Sequence, residues 1–249
     1  MPTPTTIRSF SVYLIRHAES ENNARPVYER VCDPRITPRG QLQTQHLAAW
    51  MKTLPLDLLI TSPFQRTLQT AIGILQARGR RTEVWHDVFE TGGCYHGHDE
   101  TNFAGAAGFN RDQIIQFFGA PSVNIATPEP ADDWLVIDSQ IGVNGWWDGR
   151  PKEGPEQTRD RAHQVSDRLI RTFAGSDQEI ALVVHADFKR ELLQVMLRDA
   201  LDMNAVGPIA NTSVTEIQFS GSAEQGRWRL GYLNSVTHLP PRLITGRES

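Results

Sequence analysis

The chain has 249 residues, enough for one large α/β domain or two small ones around a sizeable core. Its 39% hydrophobic and 22% charged fractions are those of an ordinary globular protein and argue against disorder. A formal net charge of −4 leaves no basic surplus for sequence-independent nucleic-acid binding, and no stretch approaches the roughly 18 apolar residues of a membrane span.

Residues 10–15 are a short apolar run of strand formers that stops at Arg16-His17, and they read as a buried strand delivering those two residues at its C-terminal end. Thr37-Pro38 supplies an N-cap and a first helical residue, and Leu42, Leu47 and Trp50 give that helix a face through about residue 53. Residues 56–61 read as a second buried strand. Ser62-Pro63 then opens a helix through about residue 77, with Leu68, Ala71, Ile72 and Leu75 as its buried stripe, and residues 82–85 form a third short strand.

Residues 91–155 are rich in Gly, Pro, Asn and Asp, and carry Phe109, Phe117, Phe118, Trp134, Trp146 and Trp147. One helix at about 110–118 is expected there and little else that is regular. The stretch reads as an insertion folded over the core as a lid, not as a separate domain, because no clear linker flanks it. A helix at 155–174 follows, then an apolar strand at 179–184 stopping at His185, a helix at 187–199, and strands near 213–219 and 227–233. This order predicts a single domain over 1–249: a three-layer α/β/α sandwich with a mostly parallel central sheet. Ligands bind at strand C-terminal ends in such sheets, which directs attention to Arg16-His17 and His185.

Taken singly, these residues have plain structural readings: a strand cap, a solvated helix arginine at Arg66, a hydrogen-bonded core histidine at His185. Taken together, the segments YLIRHAESENN, ITPRGQLQ, ITSPFQRTLQTA, LVVHADF and NTSVTEIQF resemble the histidine phosphatase superfamily, also called phosphoglycerate-mutase-like. The resemblance covers about 10–90 and 155–220. It implies that His17 is a covalent nucleophile forming a phosphohistidine, with no metal or other cofactor. It also implies that Arg16 and Arg66 clamp phosphate oxygens with planar guanidinium forks, and that His185, protonated in the complex, completes the pocket. Asn23 matches the family's asparagine beside the phosphate, although a loop-turn role is the alternative. The N–H of Ala186 is a further donor if a helix begins there.

A leaving alkoxide needs a proton. The resemblance assigns that role to Glu90, in DVFETGGCYHG, with Asp87 as the rival. Two departures from the family pattern stand out: Ala18 after the first histidine and Ala186-Asp187 after the second. Asp187 puts a negative charge near an anion site unless it caps the following helix, and a cap is the expectation. His96 and His98 lack further ligands at useful spacing, so no metal is expected, and they read as substrate contacts or loop histidines. Trp146 and Trp147 are candidates for stacking on an aryl substrate; the competing reading places the insertion's rings in a small core of their own.

The expected function is therefore a phosphatase acting on a phosphomonoester and releasing phosphate ion, with neither nucleic acid nor membrane as partner. The insertion's cations are Arg111, Arg150 and Lys152, few for holding a second anionic group, which places a phosphoglycerate mutase second. A catalytically silent phospho-ligand-binding module is the third reading, opposed by the presence of Arg16, His17, Arg66, Glu90 and His185 together. Cys32 and Cys94 lie far apart in sequence, have no metal-ligand spacing and read as free thiols. Free thiols fit a reducing compartment, and the opening MPTPTTIRSF lacks a signal-peptide pattern, so a cytoplasmic location is expected.

Overall fold

The apolar run at residues 10–15 becomes strand β1 (Ser9–Arg16) in the computed structural model, which describes residues 8–78, 81–99, 101–119 and 134–246. In chain order there follow a one-turn helix α1 (Glu21–Ala24), α2 (Pro38–Met51), β2 (Leu58–Thr61), α3 (Gln65–Arg78) and β3 (Arg81–Val84). The insertion holds β4 (Tyr95–His96), β5 (Ala104–Gly105), α4 (Arg111–Phe118) and β6 (Leu135–Ile137). The chain continues through α5 (Pro155–Phe173), β7 (Glu179–Val184), α6 (Ala186–Leu197), β8 (Val214–Ser220) and β9 (Arg227–Ser235).

Seven strands form one sheet in the order β6-β3-β2-β7-β1-β8-β9. The strands from β6 to β1 run parallel, and β8 and β9 add antiparallel at one edge. Alternation along β1 divides the core between the sheet's two faces. Tyr13 and Ile15 pack with Leu47 and Met51 of α2 and Leu68 of α3, whereas Val12 and Leu14 pack with Leu169 of α5 and Leu192 of α6. Each such side chain, fully buried, contributes about 1.5–3 kcal/mol, so both helical layers are held by the sheet they cover. The result is the expected three-layer α/β/α arrangement. The start of α2 is built as its sequence suggests: Thr37 Oγ1 accepts the N–H of Gly40 at 3.0 Å, with Pro38 in the first turn.

The insertion is more ordered than its composition suggests. Leu135–Ile137 supplies the sheet's edge strand beside β3, and Tyr95–His96 pairs antiparallel with Ala104–Gly105. Runs of two or three residues are too short for alternation to reveal them. The rings of Phe118, Trp146 and Trp147 join the same core cluster as α2 and α3, so they do not form a core of their own. Most of the acidic segment PEPADDW, residues 128–134, lies outside the described residues. Among the described residues no helix is long and apolar enough to cross a membrane.

Candidate active site

β1 and β7 are parallel neighbours, with Arg16 opposite Val184, so the residues that follow leave the sheet at one level. The N–H of His17 donates to the carbonyl of Val184 at 2.9 Å, and the rings of His17 and His185 stand 5.3 Å apart, centroid to centroid. β2, on the other side of β7, leads into α3, whose first turn carries Arg66 into the gap. The Arg66 guanidinium donates from Nε to His17 Nε2 at 3.2 Å and from Nη2 to His185 Nδ1 at 3.0 Å. Phe64 supports it from below, with its ring centroid 4.1 Å from the guanidinium carbon. The start of α3 is held by Asp33, whose Oδ1 accepts the N–H of Gln65 at 2.9 Å.

These contacts assign the tautomers. A carbonyl only accepts, so His17 Nδ1, 2.7 Å from the oxygen of Ala18, carries the hydrogen and Nε2 carries the lone pair. In His185 the order is reversed: Nδ1 accepts from Arg66, and Nε2–H donates to Ser62 Oγ at 2.8 Å. Burial first, and then the Arg66 charge, push both imidazoles well below the ordinary histidine range, so both rings are neutral at physiological pH. A phosphate dianion beside His185 would raise its proton affinity.

Arg16 donates from Nη1 to the carbonyls of Ile209 and Gly246, and its buried Nε–H has no acceptor among the described residues. Gly246 sits at φ +76° against this guanidinium, where a Cβ would collide with Nη1, so the close approach requires glycine. Burial lowers the Arg16 pKa to about 10, which leaves it charged at neutral pH. Asn23 lines the cavity, its Oδ1 accepting from Ser20 N and Ser20 Oγ at 3.1 Å each and from Asn211 Nδ2 at 3.2 Å. Asn211 also donates to the carbonyl of His17 at 3.0 Å, a brace that sequence reasoning missed although NTSVTEIQF contains it. α6 begins at Ala186, which lines the cavity with one of the helix's uncommitted first N–H groups.

Glu90 reaches the same cavity from the loop after β3. Its Oε1 accepts the N–H of Thr91 at 2.9 Å and of Phe188 at 3.0 Å. Burial, and next the charge of Asp187, push its carboxyl up to about 7 against the pull of Arg66 and the two N–H bonds. Asp87, the rival, is turned away onto Arg168, 3.1 Å distant, and does not border the cavity. The Glu90 loop is held from α5: buried Arg161 donates to the carbonyls of Asp87 at 3.1 Å and Phe89 at 2.9 Å, and pairs with Glu153 at 2.6 Å.

Three expectations need correction. Trp146 and Trp147 are 1% and 3% exposed and do not border the cavity, so they are not positioned to stack on a substrate. Trp146 packs edge-on against Phe64 at 4.6 Å and Trp147 against Phe89 at 5.1 Å, so these large apolar rings are spent on the core. His96 and His98 do not border the cavity either; their neighbours Tyr95 and Gly97 do. Asp187 makes no cap: exposed at the start of α6, it lines the cavity without a hydrogen bond or ion pair to any described residue. Among the described residues no group of three or more His, Cys, Asp or Glu is placed to hold a metal ion.

The cavity has a volume of about 520 Å³, and around His17 its chemistry is that of a dianion site: the guanidinium groups of Arg16 and Arg66, helix N–H donors, one unprotonated ring nitrogen and the Glu90 carboxyl, pushed up to about 7. The sequence model of the histidine phosphatase superfamily (branch 1) matches residues 12–113 and 134–234. A Hydrogenobacter thermophilus protein, provisionally named phosphoserine phosphatase 2, is 33% identical over 232 residues, covering 91% of this chain and 96% of its own. A 2,3-bisphosphoglycerate-dependent phosphoglycerate mutase of Bartonella henselae is 29% identical over 46% of this chain and 53% of its own. Among solved structures, a mycobacterial glucosyl-3-phosphoglycerate phosphatase with VO3 superposes at a TM-score of 0.59, with 19% identity over 90% of this chain and 99% of that one. Phosphoserine phosphatase of Entamoeba histolytica with phosphoserine superposes at 0.56, with 20% identity over 93% and 100%.

Proposed function

Because the chain belongs to the histidine phosphatase superfamily, we propose that it hydrolyses a small phosphomonoester through a phosphohistidine on His17. The observation that carries this reading is the contact of Arg66 with both histidines, which leaves a neutral His17 with its lone pair on Nε2, facing the guanidinium that an incoming phosphate would take over. Arg16, Arg66 and the first N–H groups of α6 bind the equatorial oxygens, and positioning and charge stabilisation supply most of the rate. His17 Nε2 attacks phosphorus; the bond to the leaving oxygen breaks, and that oxygen takes the proton of Glu90. The Nδ1–H bond to Ala18 holds the ring in the tautomer required. Water then gives a proton to the Glu90 carboxylate and attacks phosphorus. The P–N bond breaks, its electron pair returns to Nε2, and phosphate leaves. The positive field comes from arginines, so chelators leave the rate unchanged.

The substrate class follows from the remainder of the lining. Asp187 and Arg30 add one carboxylate and one guanidinium outside the phosphate cradle. Opposite charges suit a zwitterionic ester, and phosphoserine is the substrate named for the Hydrogenobacter relative. Two features disfavour a mutase. Arg190 is committed to the carbonyls of Met203, Val206 and Gly207, and the Lys152 ammonium lies over the Phe103 ring at 3.8 Å. The test is to offer phosphoserine and 3-phosphoglycerate in EDTA, trap the phosphoenzyme, and map the phosphorus. Phosphate release with label on His17 is expected. Transfer of label to a second phosphoglycerate would make it a mutase, and neither release nor label would make it a silent binding module.

A further inference from the structure

Cys32 and Cys94 are the two cysteines of the chain, 62 residues apart, and the fold brings them together at the cavity wall. The Cys94 S–H donates to the carbonyl of Cys32 at 3.8 Å, which makes the two residues direct neighbours. Cys94, within the insertion, is buried in the core, and its segment is fixed where its carbonyl accepts the N–H of Ala106 at 2.9 Å. Cys32 is half-buried and lines the cavity.

Each sulfur is mounted on a segment that shapes the site. Cys94 lies between Gly93 and Tyr95, both cavity-lining residues. Cys32 follows Arg30 and Val31, also lining, and precedes Asp33, which holds the start of the helix carrying Arg66. The two thiols are chemically unequal. The neighbouring Cys94 side chain first, and then His96 and nearby backbone N–H groups, favour a thiolate on Cys32 against its partial burial, whereas Cys32 and burial push the Cys94 thiol up. An accessible thiolate with a buried neighbour is the arrangement of an attacking and a resolving cysteine.

We propose that Cys32 and Cys94 are a peroxide-sensitive dithiol whose disulfide restrains the cavity mouth and slows turnover. The Cys32 thiolate attacks one oxygen of hydrogen peroxide and becomes a sulfenic acid as the O–O bond breaks and hydroxide leaves. The Cys94 sulfur then attacks the Cys32 sulfur; the S–O bond breaks, and the departing hydroxyl takes the Cys94 proton and leaves as water. Two thiols are oxidised, one peroxide is reduced, and a dithiol reductant reverses the change. Cys94 is held by the core, so bond formation draws the Cys32 loop, with Arg30 and Val31, towards the Gly93–Tyr95 wall.

The slowed-turnover part rests on the phosphatase reading; the dithiol does not. Reduced full-length protein is exposed to hydrogen peroxide, then assayed for free thiols, intact mass and the peptide joining Cys32 to Cys94. Turnover of p-nitrophenyl phosphate and affinity for inorganic vanadate are measured in parallel. Loss of both thiols within one chain is expected, with a several-fold fall in kcat/KM and in vanadate affinity that dithiothreitol restores. Cys94→Ser should form no intrachain bond and should not show that reversible fall. Persistent free thiols, a bond between two chains, or an intrachain bond that leaves both turnover and vanadate affinity unchanged would each overturn the proposal. A protein that turns over nothing, yet binds vanadate less tightly once bonded, would support the dithiol and count against the phosphatase reading.

Discussion

The Nε–H of Arg66 donates to the Nε2 of His17 at 3.2 Å, so the guanidinium occupies the lone pair that the proposed mechanism directs at phosphorus. The same charge is the second cause, after burial, of the histidine's low proton affinity. In the proposed mechanism one side chain thus orients the nucleophile, keeps it unprotonated, and binds the group it attacks.

Arg66→Ala should consequently change more than rate. Loss of one preorganised donor costs about 10²–10³ in kcat, and the acid limb of kcat/KM should move to higher pH because His17 regains part of its basicity. Arg66→Lys should recover little, since an ammonium cannot present two forked N–H groups to two rings. A pH–rate profile checks this; a slower enzyme with an unmoved acid limb would count against it.

In the proposed mechanism Glu90 sets the opposite limb. As the acid it must be protonated, so kcat/KM for an alkyl ester should decline as pH rises through about 7, the value to which its carboxyl is pushed. Asp187→Asn removes the second cause of that upward push and should shift the decline to lower pH with glycerol phosphate. With phosphoserine the same variant should also lose substrate preference, seen as a lower ratio of the two kcat/KM values. An unshifted limb would separate Asp187 from Glu90.

Glu90 also costs stability at neutral pH. Its carboxyl titrates near 4.5 when unfolded and near 7 when folded, so its favourable contribution is present below 4.5 and is lost as pH rises through 7. Glu90→Gln imitates the protonated form. Its Tm should match the wild type near pH 4 and exceed it by a few degrees at pH 8. Parallel Tm curves across that range would contradict the burial argument.

Arg161 and Glu153 are 8% and 7% exposed at their side chains and 2.6 Å apart, so removing either leaves the other charge buried and unpaired. Arg161→Met should destabilise by about 3–5 kcal/mol, and adding Glu153→Leu should recover much of it. Denaturant unfolding of the two single variants and the double variant gives the coupling directly.

Trp146→Ala should also behave as a core truncation, costing about 3–5 kcal/mol, while the ratio of kcat/KM for aryl and small alkyl esters stays constant. A changed ratio would return Trp146 to the binding surface.

The parts that sequence made legible are those with a strong local signature. The run ending at Arg16-His17, the Thr37-Pro38 helix start and the strand ending at His185 show uninterrupted burial or a cap, and the structure places them within a residue or two of expectation. What stayed hidden depends on distance along the chain. Asn211 bracing His17, Arg161 holding the Glu90 loop and Cys94 meeting Cys32 are single residues whose partners lie 62 to 194 positions away, with no periodicity to announce them. The tryptophans misled for a related reason: composition says that rings are present, while only packing says which side they face.

The bond from Arg16 to the carbonyl of Gly246 spans 230 positions of sequence and has a consequence for biosynthesis. Arg16 is made early, on the first strand, and part of its support is made 230 positions later. A nascent chain can pair β1 with β7 and still lack the backbone that fixes Arg16 until residue 246 has left the ribosome. Arg16 therefore gains this support only once residue 246 is available, and a fragment that stops after β9 would be folded in outline yet lack that contact.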